Sequence, residues 1–191
     1  MPGKCRSLAI FLLWGLPLLA SAGEFNLGNL LGELAQVRSA RATFTEKQYL
    51  GVLDKPLESS GELAFEAPDH LEKRTLQPKA ESLILDAGTL TVERNGRRQT
   101  LALKDYPEVA AFIDSIRATL AGDRRALEAA YRIELDGRHD RWTLQLTPRS
   151  DKMLAKVSRV RIAGARAELR QIEIFQADGD RSLMTIDKVA P

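Results

Sequence analysis

Between residues 59 and 103 the chain repeats one pattern, in which short alternating stretches are cut by turn signals. Over 61–66, Leu63 and Phe65 share one side while Glu62 and Glu66 take the other. Pro68-Asp69 breaks the run, because proline has no N–H for a ladder and aspartate suits a turn. A second extended segment covers 70–77 and ends at Pro78. A third, over 81–86, carries Leu83, Ile84 and Leu85; Ala87-Gly88 turns, and 89–94 resumes the two-residue period with Leu90 and Val92. Asn95-Gly96, a strong hairpin dipeptide, leads into 97–103. Links this tight leave no room for crossovers, so the strands pair with their sequence neighbours in an antiparallel sheet.

The rest of the chain extends that sheet or covers it. Leu27, Leu30, Leu31, Leu34 and Val37 fall on one stripe and predict a helix over 24–38, weakened by Gly28 and Gly32. Residues 41–50 form a strand with Phe44 and Glu46 opposite Thr43, Thr45 and Lys47, and 51–58 a loop. Pro107 opens a helix whose stripe is Val109, Phe112, Ile113, Ile116 and Leu120, and Gly122 ends it. Asp123 caps a second short helix running to 130. Strands follow at 131–135, 142–146, 156–163, 168–176 and 182–188, with a loop at 148–152. Turns are expected at Asp136-Gly137, Gly164 and Asp178-Gly179-Asp180. The fold class is α+β: an antiparallel sheet of about eleven strands, curled into a half-barrel and covered by about three helices.

Residues 1–22 read as a cleaved secretory signal peptide, with Lys4 and Arg6 ahead of an apolar run and Ala20-Ser21-Ala22 as the cleavage site. Residues 23–191 then form one domain, exported and soluble. Net charge is +2 on 28 basic and 26 acidic residues, and the leader holds two of the basic ones, so the remainder is balanced. Nothing in that balance points to nucleic acid. The one cysteine, Cys5, lies in the leader, so no disulfide is expected in the mature chain.

Catalytic chemistry finds little to stand on. There is no G-x-S-x-G, no H-E-x-x-H and no phosphate-binding glycine loop. His70 beside Pro68-Asp69 and His139-Asp140 in a hairpin turn read as surface pairs. Asp178 and Asp180 around Gly179 read as a turn rather than a calcium loop. The chain is expected to be neither an enzyme nor the holder of a cofactor or metal. Arg94, Arg97 and Arg98, Arg124-Arg125, and Arg159 with Arg161 read as a solvated face. Their other use would be contact with anionic lipid headgroups or an acidic partner.

The order helix, six strands, helices, five strands is similar to that of the LolA-like family of periplasmic lipoprotein carriers. Ala42-Thr-Phe-Thr-Glu-Lys47 resembles its first strand, and Gly61-Glu-Leu-Ala-Phe-Glu-Ala-Pro68 its G-x-L-x-hydrophobic-x-x-P signature. Gln77-Pro78, Glu81-Ser82, Asp86-x-Gly-x-Leu90 and Trp142-x-Leu-x-Leu-x-Pro148 resemble its later strands. Ala67 stands where the best-known carriers place an arginine, and the chain ends earlier than theirs do, which marks a divergent member. The resemblance implies a periplasmic monomer that takes acyl chains of a lipoprotein or lipid into an apolar cavity and carries them towards the outer membrane. It also implies an inner-membrane export complex as donor and an outer-membrane acceptor. The expected cavity wall is Leu63, Phe65, Leu83, Leu85, Leu90, Val92, Trp142 and Leu144, with Val109, Phe112, Ile113 and Ile116 on a movable lid. The alternative is a periplasmic sensor or adaptor that binds protein on the same scaffold, its core filled and without lipid.

Overall fold

The computed structural model describes residues 25–105 and 107–188. The leader expected at 1–22 lies outside the described residues, as do the side chains of Val109 and Phe112. Helix α1 (Leu27–Leu34) opens the fold, with the Asn26 side chain accepting the Asn29 N–H at 3.0 Å as its N-cap. Six strands follow: β1 (Ser39–Tyr49), β2 (Leu57–Glu66), β3 (His70–Gln77), β4 (Glu81–Asp86), β5 (Thr89–Arg94) and β6 (Arg97–Ala102). A single turn of 3₁₀-helix (Leu103–Asp105) leads to α2 (Pro107–Leu120) and α3 (Arg124–Ala130). The second half comprises β7 (Tyr131–Arg138), β8 (Arg141–Pro148), α4 (Asp151–Leu154), β9 (Val157–Ala165), β10 (Glu168–Gln176) and β11 (Arg181–Lys188).

All eleven strands form one curled, unclosed antiparallel sheet in the order β6-β5-β4-β3-β2-β1-β11-β10-β9-β8-β7. Each half is a meander of sequence neighbours, and the pairing of β1 with β11 joins them. At Asn95-Gly96 both residues have positive φ (53° and 70°), the conformation a two-residue hairpin needs.

Several local expectations are corrected. The first helix stops at Leu34 rather than 38, and the strand after it begins at Ser39. Asp136-Gly137 is not the turn: β7 continues through it, with Gly137 (φ 99°) opposite Trp142, and the chain reverses at 139–140. An added Cβ at Gly137 would lie 2.3 Å from the Arg141 carbonyl oxygen, so the backbones meet there as only glycine permits. Gly164 likewise lies inside β9, where a Cβ would meet the Trp142 ring at 2.4 Å; the turn falls beyond it, at Arg166 (φ 53°). The expected loop at 148–152 contains the start of α4, a fourth helix, and Met153 on it is buried.

The main core belongs to the second half. Leu30, Leu31 and Leu34 of α1 pack with Ala118 of α2 and Leu127 of α3 over Trp142, Leu144 and Leu146 of β8. Tyr131 of β7, Val160 and Ile162 of β9 and Met153 of α4 complete it. Gly122 (φ 68°) lets the α2–α3 turn press onto α1, since a Cβ there would sit 2.5 Å from the Leu31 carbonyl oxygen.

Candidate functional site

Because side chains alternate along a strand, the ladder register fixes which residues share a face. Pairing Leu63 with Ala42 and Lys73, Phe65 with Leu71, Leu71 with Leu85, Leu85 with Leu90 and Leu83 with Val92 puts them on one face. Carrying the register through Phe44–Ile186, Ile172–Ile162 and Ile162–Leu144 brings Leu144 and Trp142 to that same face. This is the face on which the helices lie. All eight expected wall residues are therefore brought to one surface, and burial then divides them. Trp142 and Leu144 are sealed in the core, at 1 % and 0 % exposure, with Phe65 and Leu85 nearly so. Leu63, Leu83, Leu90 and Val92 are half-buried, as are Leu71 and Leu101 beside them.

Trp142 owes its burial to specific fittings. Its indole N–H donates to the Arg166 carbonyl at 2.8 Å, and its ring lies over the bare backbone of Gly164. Helix α2 divides in a way the apolar stripe did not announce. Its small face of Ser115, Ala118 and Thr119 is buried, with the Thr119 hydroxyl donating to the Ser115 carbonyl at 2.7 Å. Ile113, Ile116 and Leu120, on the opposite side of a 3.6-residue helix, are half-buried.

Sequence reasoning missed a polar cluster within the same face. Glu46 on β1 is 7 % exposed in its side chain, and the Lys73 ammonium of β3 lies 2.5 Å from its Oε2. The Ser182 hydroxyl of β11 donates to Oε1 at 2.6 Å, and Ser59 of β2 lies 3.5 Å from Oε2. Burial alone would raise the Glu46 carboxyl. The charge of Lys73 and hydrogen bonds from Lys73, Ser182 and Gln48 outweigh it, and the group sits below its ordinary value of 4.5. Gly61, opposite Phe44, places no side chain in the way as Lys73 crosses β2, and the ammonium lies 5.0 Å from the Phe44 ring centroid. The only signal in the sequence was a glutamate alternating in phase with Phe44; nothing local marked Lys73 as its partner. Two strands further out, Glu81 pairs with Arg94 across β4 and β5 on the same face.

Other charged groups find structural partners. On the opposite face Glu173 is buried between Arg161 (2.9 Å) and Arg181 (3.2 Å), and Arg159 stacks on Phe175 at 4.1 Å. Arg98 pairs with Glu93 and Arg124 with Glu128. His139 is 2.7 Å from Glu33 and ties α1 to the β7–β8 turn, which the surface reading did not foresee. Asp178 and Asp180 build the β10–β11 turn, and Asp180 also accepts the Gly51 N–H at 2.8 Å. A separate cleft of about 460 Å³ opens where β1, β2 and β3 end, between Ser39, Arg41, Glu66, His70 and Glu72; it is polar and lies beside Phe65. Val52 and Leu53 project at the β1–β2 loop. No helix among the described residues is long and apolar enough to cross a membrane.

The chain is similar to proteins of solved structure. The solved structure of a LolA superfamily protein from Nitrosomonas europaea is 11 % identical and matches 85 % of this chain and 92 % of that one, with a TM-score of 0.46. The MucA/MucB complex of Pseudomonas aeruginosa matches at 15 % identity over 86 % of this chain and 58 % of that one, with a TM-score of 0.49. No curated protein matches the chain. The model of the family described as outer membrane lipoprotein carrier protein LolA-like matches residues 19–188, nearly the whole length. The chain belongs to the LolA-like family.

Proposed function

We propose that this protein is an exported carrier that binds the acyl chains of a lipoprotein or other lipid on the helix-covered face of its sheet and moves them through the periplasm. The observation that carries this reading is the band of half-buried apolar side chains on β2–β6, Leu63, Leu71, Leu83, Leu90, Val92 and Leu101. An apolar band that the fold itself leaves half covered is a surface on which hydrocarbon can replace water, at about 0.8 kcal/mol per buried methylene. Residues 1–22 are its export signal, and the domain follows them. Trp142 and Leu144 support the wall from within the core, while the half-buried side of α2 at Ile113 and Ile116 serves as the lid. The chemistry is binding and release rather than catalysis. An inner-membrane complex would load the carrier, and an outer-membrane acceptor would unload it.

The test is native mass spectrometry of the mature protein, purified from the exporting cell's periplasm without detergent and then extracted with organic solvent. A bound mass that extraction removes and identifies as a lipid supports the carrier. Protein that is clean, and that also fails to bind a fluorescent apolar probe, overturns it in favour of a protein-binding module.

A further inference from the structure

Lys73 of the Glu46–Lys73 cluster stands inside the apolar band on β2–β6, between Leu63 and Leu83. Along the shared face, the row Phe65, Leu71, Leu85, Leu90 and Leu101 is wholly apolar. The next row, Leu63, Lys73, Leu83, Val92 and Gln99, is apolar except for Lys73 and, on the exposed edge strand, Gln99. One row further, Thr75, Glu81 and Arg94 are polar, and Arg97 stands outside them on the exposed edge strand. A hydrocarbon chain lying on these two rows would thus run alongside Lys73, the one charged side chain within them.

The two charged members of the cluster differ in exposure. Glu46 is sealed, and its oxygens are taken up by Lys73, Ser182 and Ser59. Lys73 keeps 24 % of its side chain exposed. An ammonium has three N–H donors; one meets Glu46 and the Phe44 ring receives the charge from a second side. Among the described residues the ammonium has no other acceptor, so a donor remains for a group lying on the apolar band. Stability alone does not account for this arrangement, because an ion pair on a buried face is commonly no better than apolar residues of the same size.

Resting on the carrier reading, we infer that Lys73, held by Glu46, is a binding subsite for the uncharged carbonyl of an acyl linkage, an ester or amide, in the cargo lipid. The pair has no net charge, which selects the ligand. A carbonyl oxygen accepts the spare N–H and loses little hydration on entering. A free carboxylate must be stripped of water and then sit against the Glu46 carboxylate, whose charge already answers that of Lys73.

Displacement of a bound apolar fluorescent probe by monopalmitoylglycerol and by its ether analogue 1-O-hexadecylglycerol, which has no carbonyl, tests this. Monopalmitoylglycerol is expected to bind about tenfold more tightly than the ether, the worth of one hydrogen bond to a charged donor. In the double variant Glu46→Leu/Lys73→Met, which leaves neither charge orphaned, probe binding should persist while the preference shrinks to about twofold or less. Equal or tighter binding of the ether by the wild type, or an unchanged preference in a folded double variant, overturns the subsite but leaves the carrier standing. Failure of every lipid and of the probe overturns both. A measurement on the wild type alone guards against a variant that does not fold. The infrared stretch of isotope-labelled ester carbonyl in bound monopalmitoylglycerol should appear at its hydrogen-bonded position. A band at the free-ester position overturns the subsite.

Discussion

Trp142 on β8 and Val92 on β5 occupy equivalent places in the alternating pattern, on the same face of the same sheet, yet one is sealed and the other half-buried. The difference lies in what covers them. Helices α3 and α4 pack on β7, β8 and β9, and the α1 leucines close over the same strands. On β2–β6 most apolar side chains of this face remain partly in water, Phe65 and Leu85 being the buried ones. Alternation decides which face a side chain joins; the supply of covering helices decides whether that face becomes core or binding surface. The largest expected effect follows from this. Trp142→Ala empties a filled site and loses a buried hydrogen bond, and should cost about 3–5 kcal/mol in urea denaturation. A cost as small as that of Val92→Ala would erase the distinction between the halves.

The same contrast explains how far the sequence could be read. Strand order and face were legible because Leu63, Leu83, Val92 and Leu144 follow a strict two-residue period and the turns at Ala87-Gly88 and Asn95-Gly96 fix the register. Gly137 and Gly164 were misread because a glycine announces unusual backbone geometry or close approach without saying which. Gly137 lets β7 close on β8, and Gly164 makes room for the Trp142 ring. Helix α4 spans four residues, too few to display a period. The burial split within the wall was hidden for a different reason: no strand records in its own sequence which helix will land on it. Lys73 escaped notice because its partner lies two strands away, and only the three-dimensional register brings them together.

Gly122→Ala sharpens the comparison from the covering side. The substitution places a non-glycine residue at φ 68° and pushes a Cβ towards Leu31 and Ala35 of α1. It should cost about 1–3 kcal/mol in the same denaturation assay. Because it loosens the helices over β7–β9, it should leave the apolar band on β4 and β5 able to bind probe in protein that remains folded. Loss of probe affinity without loss of stability would mean that the helix cover, not the open half, holds the ligand.

The two halves should also fail at opposite ends of the pH scale. Tyr131, in the closed core, is pushed up to about 12 chiefly by burial. A raised acid is neutral in the fold, so its contribution is complete below pH 10 and disappears as pH rises towards 12. Glu46, at the border of the open half, is depressed, so its contribution is present above pH 4.5 and disappears as pH falls through the lower folded value. The wild-type Tm should therefore fall more steeply below pH 4.5 than that of the Glu46→Leu/Lys73→Met variant, while both decline alike in alkali. Parallel acid profiles would show that the carboxylate is not held by its partners.

The smallest change in stability belongs to Val92→Ala, and it bears most directly on function. Val92 pairs with Leu83 and stays half in water, so removing its methyl groups should cost about 0.5–1 kcal/mol, well under the core value. If the open half holds hydrocarbon, those methyls are in contact with ligand, and affinity for an apolar probe should drop about threefold. Leu144→Ala should show the reverse, a loss of about 2–5 kcal/mol in stability with probe affinity little changed in the folded fraction. The signature of a divided sheet is that crossing of effects: stability lost at Leu144 and affinity lost at Val92. Were both substitutions to act on stability alone, the apolar band on β2–β6 would be a loosely covered second core and not a place for lipid.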